Sequence, residues 1–187
     1  MKPYYDEDGV TIYHGDLLDV LPTLEPVDVA FADPPYNVGI GYDRHDDMMA
    51  PDDYVAWCEK WFVALSGRAR RIFITPGYVN ASQWANRGPN GIGAWYKPGN
   101  PAGAGIFQFC EWEPIFVWGT GRIGGSDVFR ATVSLQRGVG GHPCPKPLKL
   151  LTQILERAAG QTVLDPLMGS GTTLVAAKSL GKQAVGI

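Results

Sequence analysis

Residues 162–187 read as strand, glycine loop, helix and strand, and that unit admits few folds. Thr162-Val163-Leu164 is a short buried-strand run. Asp165-Pro166-Leu167-Met168-Gly169-Ser170-Gly171 has the composition of a loop, Thr172 to Leu180 that of a helix stopped by Gly181, and Gln183 to Ile187 begins another strand. Two strands joined through a helix lie parallel, because a crossover is needed to return the chain in the same direction.

Upstream the alternation repeats. Val27 to Ala32 lacks clean polar alternation and predicts a fully buried strand. Asp52 and Asp53 open a helix whose Tyr54, Cys58, Trp61, Phe62 and Leu65 share a face, and Gly67 ends it. Arg71 to Thr75 predicts the next strand, stopped by Pro76-Gly77. Pro147 suits the first turn of a helix carrying Leu148, Leu151, Ile154, Leu155 and Ala158 on one face. Val10 to Tyr13 predicts a strand, and Asp16 a cap for a helix over Leu17 to Leu21 closed by Pro22. Ile92 to Lys97, Phe107 to Cys110 and Pro114 to Trp118 also read as strands. The expected class is α/β with a mostly parallel sheet, in a single domain over 1–187 with an insertion over 77–141.

Composition narrows the function classes. No run approaches about 18 consecutive apolar residues, so no transmembrane helix and no membrane partner is expected. The N-terminal Met1-Lys2-Pro3-Tyr4-Tyr5-Asp6 lacks an apolar leader segment, and the three cysteines fit neither a disulfide framework nor a metal site; a reducing cytoplasm, bacterial or phage-infected, is the expected compartment. The net charge of -3 hides an asymmetry: residues 1–60 hold 3 basic and 14 acidic side chains, residues 61–187 hold 13 basic and 5 acidic. That distribution permits a basic face for nucleic acid and equally describes ordinary surface charge.

Two loops carry chemistry. Asp165 to Thr172 joins a strand to a helix, where open α/β sheets bind ligands. Gly169 and Gly171 permit close backbone approach, and the following helix N-terminus favours an anionic group. No lysine follows Gly171, which excludes a P-loop, and Leu174 stands where a dinucleotide motif needs glycine. Alone, Gly-Ser-Gly also suits a structural turn. The second loop, Asp33-Pro34-Pro35-Tyr36, again follows a buried strand. A lone acid there often caps a helix, but two prolines stiffen the backbone and remove two donors, leaving carbonyl acceptors beside an aromatic face. Such a pocket suits a planar group bearing an amino function.

Asp33-Pro-Pro-Tyr36 followed by Asp165-Pro-x-x-Gly-Ser-Gly-Thr-Thr resembles the amino-group DNA methyltransferases that use S-adenosyl-L-methionine. The order, catalytic motif first and cofactor motif last, resembles the family's circularly permuted β-group, and it implies a Rossmann-like S-adenosylmethionine-dependent methyltransferase fold. His14-Gly15-Asp16, Trp112-Glu113-Pro114-Ile115-Phe116-Val117-Trp118 and His142-Pro143-x-Pro145-Lys146-Pro147 resemble further family segments. The resemblance implies a catalytic pocket of Asp33, Pro34, Pro35 and Tyr36. It implies a cofactor site of Asp16 at the adenine end, Asp33, Lys146 near the carboxylate, and Asp165, Pro166, Met168, Gly169, Ser170, Gly171 and Thr172; no metal is implied. By position alone, Lys146 equally reads as a solvated lysine and Asp16 as a helix cap.

The implied substrate is a flipped base in double-stranded DNA, with N6 of adenine favoured by Asp-Pro-Pro-Tyr and N4 of cytosine as the alternative. A homodimer and a cognate restriction endonuclease are further candidate partners, and 77–141 would be a short target-recognition insertion. Pro143-Cys144 resembles the nucleophile of cytosine C5 methyltransferases, but the Glu-Asn-Val segment and the motif order of that chemistry are lacking. The family carries an acid for the ribose hydroxyls just after the strand that here ends in Ile187, so weaker cofactor binding than in a relative with that acid is expected. A non-catalytic remnant binding DNA or cofactor, and methylation of RNA or protein, are the competing readings.

Overall fold

The computed structural model of the chain describes residues 1–42, 46–103, 106–133 and 145–187. The described strands are β1 (Tyr5–Glu7), β2 (Val10–Ile12), β3 (Val27–Ala32), β4 (Ala69–Ile74), β5 (Gly91–Tyr96), β6 (Trp112–Gly119), β7 (Val128–Arg130), β8 (Thr162–Asp165) and β9 (Gln183–Gly186). They form a single sheet in the order β1-β2-β9-β8-β3-β4-β6-β5-β7. The centre, β2-β9-β8-β3-β4, is parallel; β6 runs antiparallel to both β4 and β5. This is the mostly parallel α/β sheet that the strand–helix alternation predicts.

From β3 the chain passes to β4 on one side, and from β8 to β9 on the other. The join of β3 and β8 is therefore the switch point of the sheet, where a crevice opens at the carboxyl ends of the strands.

Side chains of β3 alternate between two apolar layers. Val29 and Phe31 join Phe73, Val163 and the buried faces of α4 (Leu148–Arg157) and α5 (Thr172–Ser179). Ala30 and Ala32 join Ile72, Ile74, Leu164 and Trp61 of α2 (Pro51–Ser66). Both faces are covered, which is why these strands read as continuous apolar runs. α2 starts at Pro51, ahead of Asp52 and Asp53, which occupy its first turn and favour its positive end.

Several boundaries differ from expectation. Phe107 to Cys110 forms no strand. Pro147 is the N-cap of α4 rather than part of its first turn; Leu148 is 47% exposed, while Leu150 is fully buried. Pro22 does not close α1 (Leu17–Val20) but lies in a 3-10 turn, Leu21–Thr23. The short β1, β7 and α3 (Ala81–Ala85) carry too few periodic residues to be read in advance. No described helix is long and apolar enough to cross a membrane.

A polar staple fixes the β3–β8 join at its start. Asp28 Oδ2 accepts the Gln161 and Thr162 N–H groups at 2.8 and 3.1 Å, and the Asp28 N–H donates to Thr162 Oγ1 at 2.8 Å. The Gln161 and Thr162 N–H groups hold the Asp28 carboxyl below its ordinary value of 3.8. Its stabilising effect is present above the unfolded pKa and is lost as pH falls through the lowered folded value. Asp28→Ala should destabilise the fold by about 2 kcal/mol at pH 7. The difference from wild type should shrink below about pH 4, as read by urea denaturation across pH.

Candidate active site

Asp33 and Asp165 emerge side by side because β3 and β8 are parallel neighbours. Around them lies a cavity of about 390 Å³, lined by Asp33, Pro34, Pro35, Tyr36, Lys146, Asp165 to Ser170, Thr172 and Thr173, and closed by Gly15, Leu17, Phe31 and Ile187. That volume lies within the usual range for small-molecule sites.

The loop after Asp33 is held by its backbone. Asp47, 3% exposed, accepts the N–H groups of Asn37, Val38 and Ile40 at 2.7, 3.1 and 2.8 Å. Asn37, in the left-handed region at φ 59°, exchanges two side-chain bonds with Met49. Tyr54 Oη donates to Pro35 O at 2.7 Å, and Asn80 Nδ2 to Tyr36 O at 2.9 Å. No described residue donates to the Pro34 carbonyl. Gly77 lies flat against the Tyr36 ring: with φ 72° and a Cβ position 2.6 Å from ring carbons, only glycine fits there.

Asp33 sits at the centre of a charged network. Oδ1 accepts from Thr75 Oγ1 at 2.8 Å and lies 3.1 Å from Tyr36 Oη; Oδ2 pairs with Lys146 Nζ at 2.5 Å. Lys146 Nζ also donates to Tyr36 Oη at 3.0 Å. Glu113 Oε2 lies 3.4 Å from that hydroxyl, and Glu113 Oε1 pairs with the buried Lys97 at 2.6 Å. Two ion pairs thus meet at one phenol. Burial, with the nearby Asp33 and Glu113 carboxylates, pushes the Tyr36 phenol well above its ordinary pKa, so it remains a donor.

On the other loop, Gly171 takes φ 76° as the N-cap of α5, and Ser170 Oγ meets Thr172 Oγ1 at 3.1 Å. Thr172 and Thr173, in the first turn of α5, line the cavity. Burial lifts the Asp165 carboxyl from 3.8 to about 7; the neighbouring Asp33 adds to that, while hydrogen bonds from Thr173 and the Leu167 N–H and the charge of Lys146 oppose it. The pair suits a zwitterion, with a carboxylate at the helix end and an ammonium at Asp165.

The residues singled out in the sequence fall into three groups. Asp33, Pro34, Pro35, Tyr36, Lys146, Asp165, Pro166, Met168, Gly169, Ser170 and Thr172 share the cavity wall, and Gly171 sets the helix start behind it. Asp16 is exposed and caps α1 through the Leu18 N–H at 2.8 Å; its neighbours Gly15 and Leu17 line the cavity instead. Lys146, expected at a cofactor carboxylate, pairs with Asp33. His142, Pro143 and Cys144 lie outside the described residues. Thr75, Gly77, Lys97, Glu113 and Asp47 were not singled out for this site. Glu113 stood in a noted segment, and Pro76-Gly77 marked a strand end, but no motif ties either to Tyr36. Among the described residues no cluster of His, Cys, Asp and Glu is arranged to hold a metal ion.

Comparison with known proteins points the same way. A family model described as DNA methylase, for N6 and N4 methyltransferases, matches residues 113–187. The type II methyltransferase M.ScaI of Streptomyces caespitosus is 23% identical over an alignment of 245 positions, covering 100% of this chain and 79% of that protein. M2.MboI of Moraxella bovis is 26% identical, covering 100% of this chain and 86% of its own length. Among solved structures, the cytosine-N4-specific PvuII DNA methyltransferase superposes with TM-score 0.75 at 15% identity, covering 99% of this chain and 83% of that one. The M1.HpyAVI–SAM complex gives TM-score 0.69 at 22% identity, covering 95% and 92%. At these identities the structures show the fold: a Rossmann-like methyltransferase architecture.

The Asp165 proton has a measurable consequence. A carboxyl whose folded pKa lies above its unfolded one loses stability as pH rises from about 4 to about 7, since the unfolded chain releases the proton first. Asp165→Asn should remove that falling limb and raise stability at pH 8 by roughly 2–4 kcal/mol. Thermal denaturation of both proteins from pH 4 to 8 reads it; parallel profiles would locate the proton elsewhere.

Proposed function

We propose that this protein, whose residues 113–187 match the model of the N6 and N4 DNA methyltransferases, is an S-adenosyl-L-methionine-dependent DNA methyltransferase that acts on adenine at N6. The observation that supports amino methylation most is a carboxylate, Asp33, beside the Pro34 carbonyl, to which no described residue donates, next to Tyr36 and at the same sheet edge as the Gly169–Thr172 loop; the Asp33-Pro-Pro-Tyr36 motif is what favours adenine.

The residues present fit the cofactor. Asp165 is a buried acceptor suited to an ammonium, and the first turn of α5, with Gly169, Ser170, Gly171 and Thr172, suits a carboxylate. Pro166 and Met168 supply apolar wall, and Asp16, beside the wall residues Gly15 and Leu17, is proposed at the adenine end. When bound, the cofactor supplies an electrophilic sulfonium methyl group.

The protein's own task is positioning. An exocyclic amino nitrogen is a weak nucleophile because its lone pair is delocalised into the ring. Accepting its N–H groups at Asp33 and at the Pro34 carbonyl favours a pyramidal nitrogen and stabilises the positive charge that develops there. Asp33 then takes the departing proton. Holding the reacting atoms in line contributes up to about 7–11 kcal/mol. The base must leave the duplex to reach this depth, and stacking on Tyr36 offsets about 1–3 kcal/mol of that loss. Asp33 Oδ2 pairs with Lys146, and the carboxylate keeps further lone pairs with which to accept an amino N–H.

The 77–141 segment is proposed as target-recognition surface, and a homodimer and a cognate endonuclease as partners. The direct test incubates the purified chain with labelled cofactor and unmethylated duplex DNA, RNA or protein, followed by product analysis. N6-methyladenine is expected; N4-methylcytosine overturns the choice of base, and no transfer to DNA overturns the activity. Asp33→Ala should lower transfer by about 10³-fold or more while cofactor affinity by calorimetry stays near that of wild type. Retained turnover in that variant would remove Asp33 from the mechanism.

A further inference from the structure

Next to the catalytic pocket lies a second cleft, of about 780 Å³, that methyl transfer does not use. Its wall includes Tyr78, Asn100, Phe107, Phe109, Glu111 and Trp112. The rings face solvent: Phe107 is 61% exposed, Phe109 56%, Trp112 48% and Tyr78 37%. Tyr78 and Trp112 meet edge to face at 6.3 Å, so part of the surface is preformed. Four large aromatic side chains grouped at the surface leave apolar area unpaid for by any internal packing, the mark of a binding surface.

The cleft adjoins the catalytic pocket through the chain at two points. Tyr78 follows Gly77, which lies against the Tyr36 ring. Trp112 precedes Glu113, whose carboxylate reaches the Tyr36 hydroxyl at 3.4 Å. The two pockets therefore share the backbone segments at Gly77-Tyr78 and Trp112-Glu113.

We propose that this cleft stacks a second, unpaired base of the same DNA, adjacent to the one held against Tyr36. The proposal rests on the DNA methyltransferase reading above. Removing one base from a duplex leaves its neighbours and its former partner without stacking contacts, and an aromatic platform replaces them without regard to sequence. Charge favours a base over a phosphate: the charged residue among the described lining residues is Glu111, a carboxylate. Its Oε1 accepts the Gly99 N–H at 2.9 Å, which fixes an anionic edge at the cleft. That edge repels the backbone and suits the N–H donors of a base.

The test uses the full chain, a Phe107→Ser/Phe109→Ser double variant, and separately Trp112→Leu. Fluorescence anisotropy with a labelled mixed-sequence 20-mer, single-stranded and duplex, should show binding weakened about tenfold in each variant, more for the single strand. Cofactor affinity by calorimetry should be unchanged. Single-stranded DNA should quench tryptophan emission in wild type, and Trp112→Leu should lose that quench. If wild type binds DNA and both variants bind it equally well, the proposal falls and the methyltransferase reading stands. If wild type neither binds nor methylates DNA, both fall. If wild type is a dimer that the double variant dissociates, with DNA binding unchanged, the cleft belongs to a second copy and the proposal is overturned.

Discussion

The parallel pairing of β3 with β8 is the constraint on which the site depends. These strands are separated by more than a hundred residues of chain, yet they lie side by side at the point where the sheet reverses its winding. An acid and a proline stand at the carboxyl end of each, Asp33-Pro34 just after β3 and Asp165-Pro166 closing β8. Their adjacency converts two distant loops into one cavity. Asp28 and Thr162 lock the opposite end of the pair, so the acids are located by a rigid ladder rather than by flexible loops. Phe31 and Leu164 bury that ladder on both faces.

Within the cavity, charge is balanced locally. Lys146 answers Asp33, Lys97 answers Glu113, and the Tyr36 phenol joins the pairs without ionising. Removing one member of such a buried set leaves its partner uncompensated, which costs more than the pair itself contributes. The geometry of Tyr36 is set from outside the motif as well: Gly77 supplies the flat surface behind the ring, and Asn80 holds its carbonyl.

Much of this was legible in the sequence because its physics is local. Continuous apolar runs marked β3 and β8, and a proline-stiffened acid and a glycine loop marked the ligand edge. What was not legible depends on strand neighbours far apart in the chain. Glu113 and Lys97 lie on β6 and just beyond β5, and no spacing rule ties them to Tyr36. Asp47 belongs to no motif, yet it is buried and gathers three N–H groups. Phe107 to Cys110 has the residues of a strand, but its rings turn outward and line a cleft.

Lys146 and Asp165 set what the cavity can receive. The ammonium pairs with Asp33, and one strand away burial lifts the Asp165 carboxyl to about 7. On the proposed reading a zwitterionic ligand answers both groups at once. Its ammonium gives Asp165 an ionic partner, which favours the charged carboxylate, while its carboxylate gives Lys146 a further partner beside Asp33. Lys146 carries three donors, so it can hold Asp33, the Tyr36 hydroxyl and a ligand carboxylate together, and ligand charge is met without any pair being broken.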